Sequence, residues 1–219
     1  MTETQITYKK AGNKMCVPIQ MKEKESGHEM MLPLNDAAFI LVEQLKLADH
    51  SFVLELGFKN TSHLKYLLNK GKKISYYGIG SEVQVREAES KLNLKIKEGA
   101  AKFLPEEENG NLNFENGFFD CCITVNTIYF WKNPMYYFEQ IYRVLRTGGI
   151  FTLAFVEKEF GADLPWTQAD FNFYDINEVK ALFRKSGFIN IDPTPLTEQI
   201  KGRDDKERTR PFWIVTGLK

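Results

Sequence analysis

The fold is decided by residues 51–80, whose sequence is SFVLELGFKNTSHLKYLLNKGKKISYYGIG. Residues 51–56 form a short apolar run that ends at Gly57, and this pattern predicts a buried strand. Residues 62–69 carry apolar side chains at helical spacing, which predicts a helix. Residues 74–79 predict a second strand. A strand, a helix and a strand in this order favour parallel pairing, because parallel neighbours need a crossover connection.

The alternation of strands and helices continues towards the C-terminus. Further strands are predicted at residues 94–97, 117–125, 150–156, 188–192 and 212–216, and further helices at residues 82–93, 135–145 and 176–186. No helix-length apolar pattern separates the last two strands, which favours antiparallel pairing between them. The prediction is therefore a doubly wound α/β fold, with a mostly parallel seven-stranded sheet that ends in an antiparallel pair.

The N-terminal part of the chain differs in character from the rest. Residues 1–33 are polar and show no clear period, so we interpret them as an arm or cap. Residues 34–219 are predicted to form a single α/β domain. This domain is expected to open with a helix that begins after Asn35 as its N-cap and ends near Asp49.

Composition and charge exclude several classes of protein. The 29 basic residues balance the 29 acidic ones and form no stripe, so nucleic acid is not an expected partner. No apolar stretch reaches the roughly 20 residues that cross a bilayer. The polar start of the chain lacks the apolar centre of a secretory signal. We therefore expect a cytoplasmic protein that does not contact a membrane.

The cysteines and histidines do not predict a metal site. These residues are Cys16, Cys121 and Cys122, and His28, His50 and His63. Three cysteines do not form a disulfide framework, and the histidines show no ligand spacing with them. His63 lies at the start of a predicted helix and is a candidate acid or base, although a histidine without a role there is the alternative.

Short motifs follow the predicted elements in a fixed order. The first, Val53-Leu54-Glu55-Leu56-Gly57, ends strand one. The others are Tyr77-Gly78-Ile79, residues 99–105 (GAAKFLP), Phe119-Asp120, residues 126–131 (NTIYFW), residues 141–146 (IYRVLR), Gly148-Gly149 and residues 211–219 (PFWIVTGLK). In this order they resemble the class I S-adenosylmethionine-dependent methyltransferases, in particular the small-molecule, methyltransferase type 11-like branch. The resemblance covers residues 34–219 and implies S-adenosylmethionine as the cofactor.

The resemblance also implies which residues hold the cofactor, at the carboxyl ends of the strands. These residues are Glu55, Gly57, Gly80, Ser81, Glu82, Ala100, Ala101 and Asn126. In the family an acid at the position of Glu55 orders the cofactor loop, and an acid that only caps the following turn is the alternative. Asn126 would receive cofactor or substrate groups, and a turn-forming asparagine is the alternative.

The sequence departs from the family pattern at four positions. Lys59 and Thr61 replace the second and third glycines, Gly80 replaces an acid that accepts from the ribose, and Ala100 replaces an aspartate that accepts from adenine. Each lost hydrogen bond to a charged group removes about 1.5–3 kcal/mol. Two losses predict binding weaker by about two to four decades. Glu82 and Glu98 are candidate substitutes for the ribose and adenine acceptors.

Two functions from different classes remain open. The first is a methyltransferase for a small molecule, in which Asn126 and Tyr129 position the acceptor. Tyr129, Phe130 and Trp131 would wall its pocket, and a place in the core is the alternative for these aromatic residues. Methyl transfer is an in-line displacement that depends on alignment and needs no obligate catalytic residue. Trp166 and Phe171 would close this pocket.

The second function is a catalytically inactive binding or interaction module. Such a module would assemble as a homo-oligomer or with an active relative. A nicotinamide-dependent oxidoreductase is disfavoured, because the G-x-G-x-x-G motif after strand one is absent from the sequence.

Overall fold

The structure is a computed structural model, which describes residues 7–11, 15–20, 22–25, 28–31, 36–59, 61–161, 172–201 and 207–219. The strands are β1 (Thr7–Ala11), β2 (Met15–Gln20), β3 (Lys22–Glu25), β4 (His28–Met31), β5 (Phe52–Leu56), β6 (Ser75–Gly80), β7 (Ala101–Pro105), β8 (Phe119–Val125), β9 (Leu145–Phe155), β10 (Ile189–Lys201) and β11 (Glu207–Leu218). The helices are α1 (Ala37–Gln44), α2 (Leu64–Leu68), α3 (Glu82–Lys91), α4 (Asn93–Lys97), α5 (Pro134–Val144), α6 (Lys158–Gly161) and α7 (Ile176–Lys185), and a 3₁₀-helix spans Ile128–Phe130.

The main sheet has the strand order β1-β2-β10-β11-β9-β8-β5-β6-β7. Strands β5 to β9 pair in parallel, and β11 pairs antiparallel with both β9 and β10. The chain winds outwards from β5 to β6 and β7, and then returns to β8 on the other side of β5. This topology confirms the predicted doubly wound fold with a C-terminal antiparallel pair.

The core lies where the central strands are covered on both faces. In β5, Val53 and Leu54 are fully buried, as expected for a parallel strand in the middle of a sheet. Phe138 of α5 and Phe183 of α7 meet with their ring centroids 5.0 Å apart and pack on Phe151 of β9. Such aromatic contacts fix the two helices on one face of the sheet.

The third strand of the parallel sheet lies later in the chain than predicted. Residues 94–97 form helix α4 rather than a strand, and Leu94 is 75% exposed. The strand is β7, where Ala101 and Phe103 face the core. The prediction was wrong because a short apolar run does not by itself distinguish a helix from a strand.

The first helix of the domain is shorter than predicted. Helix α1 begins at Ala37 with Asp36 as its N-cap, whose side chain accepts from the backbone N–H of Ala38. It ends at Gln44 rather than near Asp49. The predicted N-cap Asn35 lies outside the described residues. The helix ends here because the backbone of its C-cap, Leu45, is extended, with a ψ of 133°.

The predicted antiparallel pairing of the last two strands is confirmed, but both strands are longer than expected. They pair from Ile189 opposite Leu218 to Lys201 opposite Glu207. The prolines at positions 193, 195 and 211 all lie within this hairpin. Among the described residues, β10 is paired with β2 at Leu196 alone, so the rest of this side of β10 forms no ladder that a proline would interrupt.

The N-terminal strands extend this side of the sheet. Strand β1 pairs antiparallel with β2, and β3 and β4 form a separate two-stranded sheet. The division of the chain into an arm of residues 1–33 and a domain of residues 34–219 stays a prediction. Across the described ranges, no helix combines the length and the apolar character needed to span a bilayer.

Candidate functional site

A cavity of about 360 Å³ opens at the carboxyl ends of β5, β6, β7 and β8. These strand ends flank the point where the winding of the sheet reverses, which is the usual ligand site of doubly wound folds. The volume falls within the range of small-molecule sites. Among the described residues, no three His, Cys, Asp or Glu side chains are grouped so that they could hold a metal ion.

Gly57 forms the turn that brings the backbone to the cavity wall. Its φ of 71° lies in the left-handed region, and its N–H donates to the carbonyl of Ile79 at 2.7 Å. A Cβ atom at this position would lie 2.1 Å from Cγ2 of Thr127. Only glycine therefore fits here. Lys59 also lines the cavity, which keeps its volume of about 360 Å³ with this side chain in place.

Glu55 lies beneath the turn at Gly57 rather than in the cavity. Its carboxylate is 2% exposed, accepts from the hydroxyl of Tyr76 at 2.6 Å and lies 2.7 Å from Nε2 of His63. His63 is the N-cap of α2, so these contacts join β5, β6 and the start of α2. The network holds both ends of the segment that runs from Gly57 to α2.

The charge of His63 depends on this network. Burial alone lowers the pKa of His63, but the charge and the hydrogen bond of Glu55, with a smaller contribution from Asp36, raise it above its ordinary 6.5. When His63 is protonated, its imidazolium and the carboxylate of Glu55 form a buried ion pair. No sequence spacing indicates this pair, because its members come from a strand and the following helix.

We expect the stability of the protein to fall as the pH rises through the folded-state pKa of His63. This pKa is raised above 6.5, so the folded state binds the proton more tightly than the unfolded state. The stabilisation is complete below the unfolded-state pKa of 6.5 and is lost as the pH rises from there through the folded-state pKa. Denaturant unfolding at a series of pH values measures the slope. His63→Gln should abolish this slope and the exposed His50→Gln should keep it, whereas equal slopes in all three proteins contradict the prediction.

A side chain at the end of β6 would crowd two neighbouring side chains. A Cβ atom at Gly80 would lie 3.0 Å from Cε1 of Phe58 and 2.9 Å from Oε1 of Gln84. Phe58 is buried and packs on Phe103, with the ring centroids 5.2 Å apart. The ring of Phe58 therefore fills the space beside Gly80. This explains in physical terms why the family's acid is missing at this position.

Ser81, but not Glu82, reaches the cavity. Ser81 lies in the cavity wall and caps α3 through the backbone N–H of Gln84. The side chain of Glu82 is 78% exposed and lies 3.8 Å from Arg86 on the solvent side of the helix. The structure therefore does not bring Glu82 to the position of a ribose ligand.

Ala100 and Ala101 lie at the amino ends of the strands, whereas the cavity lies at their carboxyl ends. Ala101 pairs with Tyr76 at the start of β6, and the carbonyl of Ala100 accepts from the N–H of Tyr76. Glu98 is also on this side, where it is exposed and lies 3.0 Å from Lys95. These placements follow from the shifted position of β7, and they correct the predicted adenine-binding residues.

The acid that follows the third parallel strand is Glu106. Its N–H donates to the carbonyl of Gly80 at 2.8 Å, and its side chain lines the cavity. The hydroxyl of Tyr137 donates to Oε1 of Glu106 at 2.6 Å. A hydrogen-bond acceptor is therefore present directly after the third parallel strand. Ala100 had suggested, from the sequence alone, that this acceptor was missing. The sequence signal that identifies it is the acidic run directly after Pro105.

Asn126 faces the cavity, and Tyr129 supports it from behind. Asn126 ends β8 in the left-handed region, with a φ of 56°, a conformation that asparagine tolerates. The hydroxyl of Tyr129 lies 3.0 Å from Oδ1 of Asn126 and accepts from the N–H of Val156. Tyr129 is buried away from the cavity lining, and burial raises the pKa of its hydroxyl well above 10. The hydroxyl thus orients Asn126.

Two of the predicted aromatic wall residues are at the cavity. Trp131 stacks on Tyr137 with a centroid distance of 4.6 Å, and both line the cavity. Phe130 also lines it and is 56% exposed. Trp166 and Phe171, which were predicted to close the pocket, lie outside the described residues.

Comparisons with known proteins agree with this geometry. Residues 54–153 match the family model described as a methyltransferase domain. A search of the curated proteins finds no match to the sequence.

Several solved structures share the fold. A chain from the complex of the Haloferax volcanii Trm112 methyltransferase activator with a methyltransferase has 20% identity and a TM-score of 0.68, over 83% of this chain and 87% of that one. A methyltransferase from Thermotoga maritima has 19% identity and a TM-score of 0.61, over 84% and 87%. Haemonchus contortus phosphoethanolamine N-methyltransferase 2 has 13% identity and a TM-score of 0.64, over 83% of this chain and 52% of that one.

The methyltransferase-domain match over residues 54–153, together with the fold shared with S-adenosylmethionine-dependent methyltransferases, agrees with the predicted resemblance to the class I enzymes. At these identities the structural likeness concerns the fold. S-adenosylmethionine is the cofactor that the comparisons support. The residues around the cavity fit this molecule: glycine at the close turn, an acid after β7 and an asparagine after β8.

Proposed function

We propose that the protein binds S-adenosylmethionine in the cavity at the strand ends and transfers its methyl group to a small molecule. The observation that carries the proposal is the cavity itself, of about 360 Å³, which is bordered by the left-handed turn at Gly57 and the acid Glu106. In this arrangement the methionine part lies along the turn at Gly57. The adenine amino group donates to Glu106, which Tyr137 holds in place.

The protein contributes alignment to the reaction. When bound, S-adenosylmethionine would supply a methyl group on a positively charged sulfur; an acceptor lone pair would take that methyl group together with the positive charge, which the acceptor keeps or loses as a proton to solvent, and a neutral thioether would remain. An in-line displacement gains chiefly from holding the two reactants in contact and in register. Asn126 is the residue we propose for orienting the acceptor, because it ends the central strand at the cavity and Tyr129 fixes its side chain.

The proposal includes a small acceptor, a cytoplasmic location, a single domain of residues 34–219, and neither nucleic acid nor membrane as partner. The protein has equal numbers of acidic and basic residues, so it lacks the excess of positive charge that nucleic-acid-binding proteins usually carry. The solved structure of the Haemonchus enzyme contains a small phosphorylated amine together with S-adenosylhomocysteine, which supports an acceptor of this size class.

The affinity should be weaker than in a family member with both acids, but less so than the sequence suggests. With Glu106 in place, one charged acceptor is missing rather than two. One lost hydrogen bond of this kind costs about 1.5–3 kcal/mol, or about one to two decades in the dissociation constant.

Isothermal titration with S-adenosylmethionine and S-adenosylhomocysteine tests the proposal. We expect saturable heat for both ligands below about 1 mM, a concentration that corresponds to a binding free energy near −4 kcal/mol. The absence of heat for both ligands at this concentration contradicts the proposal. The intrinsic fluorescence of Trp131, which lines the cavity, offers a second readout of the same equilibrium.

We expect Glu106→Gln to weaken binding of S-adenosylhomocysteine about ten- to a hundredfold, because a charged acceptor becomes a neutral one. Tyr137→Phe should have a smaller effect, since it removes only the hydroxyl that orients Glu106. Glu89→Gln is the matched control, as Glu89 is exposed on α3. Calorimetry measures the three constants. Equal affinities for Glu106→Gln and Glu89→Gln would place adenine elsewhere.

A second candidate is a catalytically inactive module that acts through assembly, with itself or with an active relative. The observation that favours it is Phe58, whose ring takes the place of the acid beside Gly80. Silent titrations with both ligands, together with a dimer or larger assembly by light scattering, would support this candidate. Transfer of the methyl group from S-adenosylmethionine to a small molecule contradicts it.

A further inference from the structure

The side-chain amide of Gln84 lies beside the backbone position from which the family's ribose acid is missing. Gln84 is the third residue of α3 and lines the cavity next to Ser81. Its Oε1 atom lies 2.9 Å from the position that a Cβ atom would take at Gly80. The amide of Gln84 therefore occupies the space into which an acidic side chain at residue 80 would project.

The orientation of this amide is fixed by the backbone. Oε1 of Gln84 accepts from the N–H of Ser81 at 2.8 Å, and Oγ of Ser81 accepts from the N–H of Gln84 at 3.3 Å. This reciprocal arrangement is a capping box, which holds a glutamine side chain against the first turn of its helix. A carbonyl oxygen has two lone pairs and the amide nitrogen has two N–H groups. After the bond to Ser81, one lone pair of Oε1 and the amide N–H groups of Gln84 can still bind a ligand.

The opposite side of Gly80 is closed by Phe58, whose Cε1 atom lies 3.0 Å from the same Cβ position. An acidic side chain at residue 80 of β6 would therefore collide with the ring of Phe58. The polar group that reaches the same space comes from α3 instead. The exposed Glu82 of the same helix turns away towards Arg86.

We propose that Gln84 is the ribose ligand of this protein. In doubly wound folds the ribose of a bound nucleotide is held at the end of the second strand through its hydroxyl groups. Here one ribose hydroxyl donates to Oε1 of Gln84, and the amide N–H donates to the oxygen of the other hydroxyl. This inference rests on the proposed function, since it assigns a contact within the same cofactor site.

Calorimetry with two ligands tests the contact. The ligands are S-adenosylhomocysteine and its analogue that lacks both ribose hydroxyls. The wild-type protein should prefer S-adenosylhomocysteine about tenfold, which equals 1.4 kcal/mol and lies within the range for a hydrogen bond. Gln84→Ala should bind S-adenosylhomocysteine about tenfold more weakly and should lose this preference between the ligands.

Two variants separate the contact from the capping role. Gln84→Glu keeps the capping box and supplies a charged acceptor, so it should bind S-adenosylhomocysteine at least as tightly as the wild type. Glu178→Ala removes the same capping position from α7, where Asp175 and Glu178 form an equivalent box. It should lower stability as Gln84→Ala does, without changing affinity.

The possible outcomes have distinct meanings. If the wild-type protein binds S-adenosylhomocysteine and Gln84→Ala keeps the preference for the ribose hydroxyls, the inference is wrong and the proposed function stands. If the wild-type protein binds neither ligand, both are wrong. Loss of the preference in Gln84→Ala but not in Glu178→Ala supports the inference.

Discussion

We expect Gly57→Ala to abolish detectable binding of S-adenosylhomocysteine and to lower the free energy of unfolding by about 2–4 kcal/mol. The left-handed backbone at this position, with a φ of 71°, costs an alanine about 1 kcal/mol. The added methyl group would also lie 2.1 Å from Cγ2 of Thr127. Relieving such overpacking costs about a further 1–3 kcal/mol and moves the turn that borders the cavity.

Gly99→Ala is the matched control for this substitution. Gly99 has a φ of 72°, but no atom lies within 4 Å of the position of its Cβ atom. Its substitution should cost only about 1 kcal/mol from the backbone conformation and should leave affinity unchanged. Denaturant unfolding and calorimetry on both variants measure the difference. If the two variants lose the same stability and both bind the ligand, the close contact between Gly57 and Thr127 has no role.

The second large effect is expected at Glu55. Glu55→Leu should destabilise the protein by about 3–5 kcal/mol, because it leaves the imidazolium of His63 buried without its partner. The hydroxyl of Tyr76 loses its acceptor at the same time. The loss should be greater at pH 6 than well above the folded-state pKa of His63, where the imidazole is neutral and the pair no longer contributes.

Two further variants test the origin of this loss. Replacing both partners, in Glu55→Leu with His63→Leu, should recover much of the stability, since two apolar groups leave no charge unpaired. Glu98→Ala removes the acid of an exposed pair with Lys95 and should cost less than about 1 kcal/mol. Unfolding curves measured at both pH values supply the comparison. If the double variant is no more stable than Glu55→Leu, the loss does not arise from an unpaired charge.

The sequence predicted the parts of the fold that depend on local patterns. The apolar run of residues 51–56 and the helical period that follows it identified the first parallel unit, and the later strands followed the same alternation. The turn at Gly57 was found because a glycine after a buried strand has a clear conformational reason. These features are set by residues that are near neighbours in the chain.

The acid that follows the third parallel strand was not identified from the sequence. The apolar residues of 94–97 suggested a strand, and this shifted the expected end of the third strand by several residues. In the structure, pairing with β6 selects residues 101–105 as the strand, so the acid after it is Glu106. The choice of the segment that pairs with β6 depends on tertiary contacts. The pattern of a single segment therefore does not predict it.

The contacts around Gly80 were also inaccessible to sequence reasoning. Phe58 and Gln84 approach the same point from a loop and a helix. The glycine suggests a lost ligand when the sequence is considered alone. In the structure, it is the residue that lets a phenyl ring and an amide meet at the strand end.

The central claim is that the cavity at the reversal of the sheet holds a nucleoside cofactor. A crystal structure of the protein grown with S-adenosylhomocysteine tests it most directly. We predict electron density for the ligand in this cavity, with the adenine amino group at Glu106, the ribose at Gln84 and the homocysteine part along Gly57. A cavity that stays empty at saturating ligand, or that closes by movement of Lys59 or Phe130 into it, would contradict the claim.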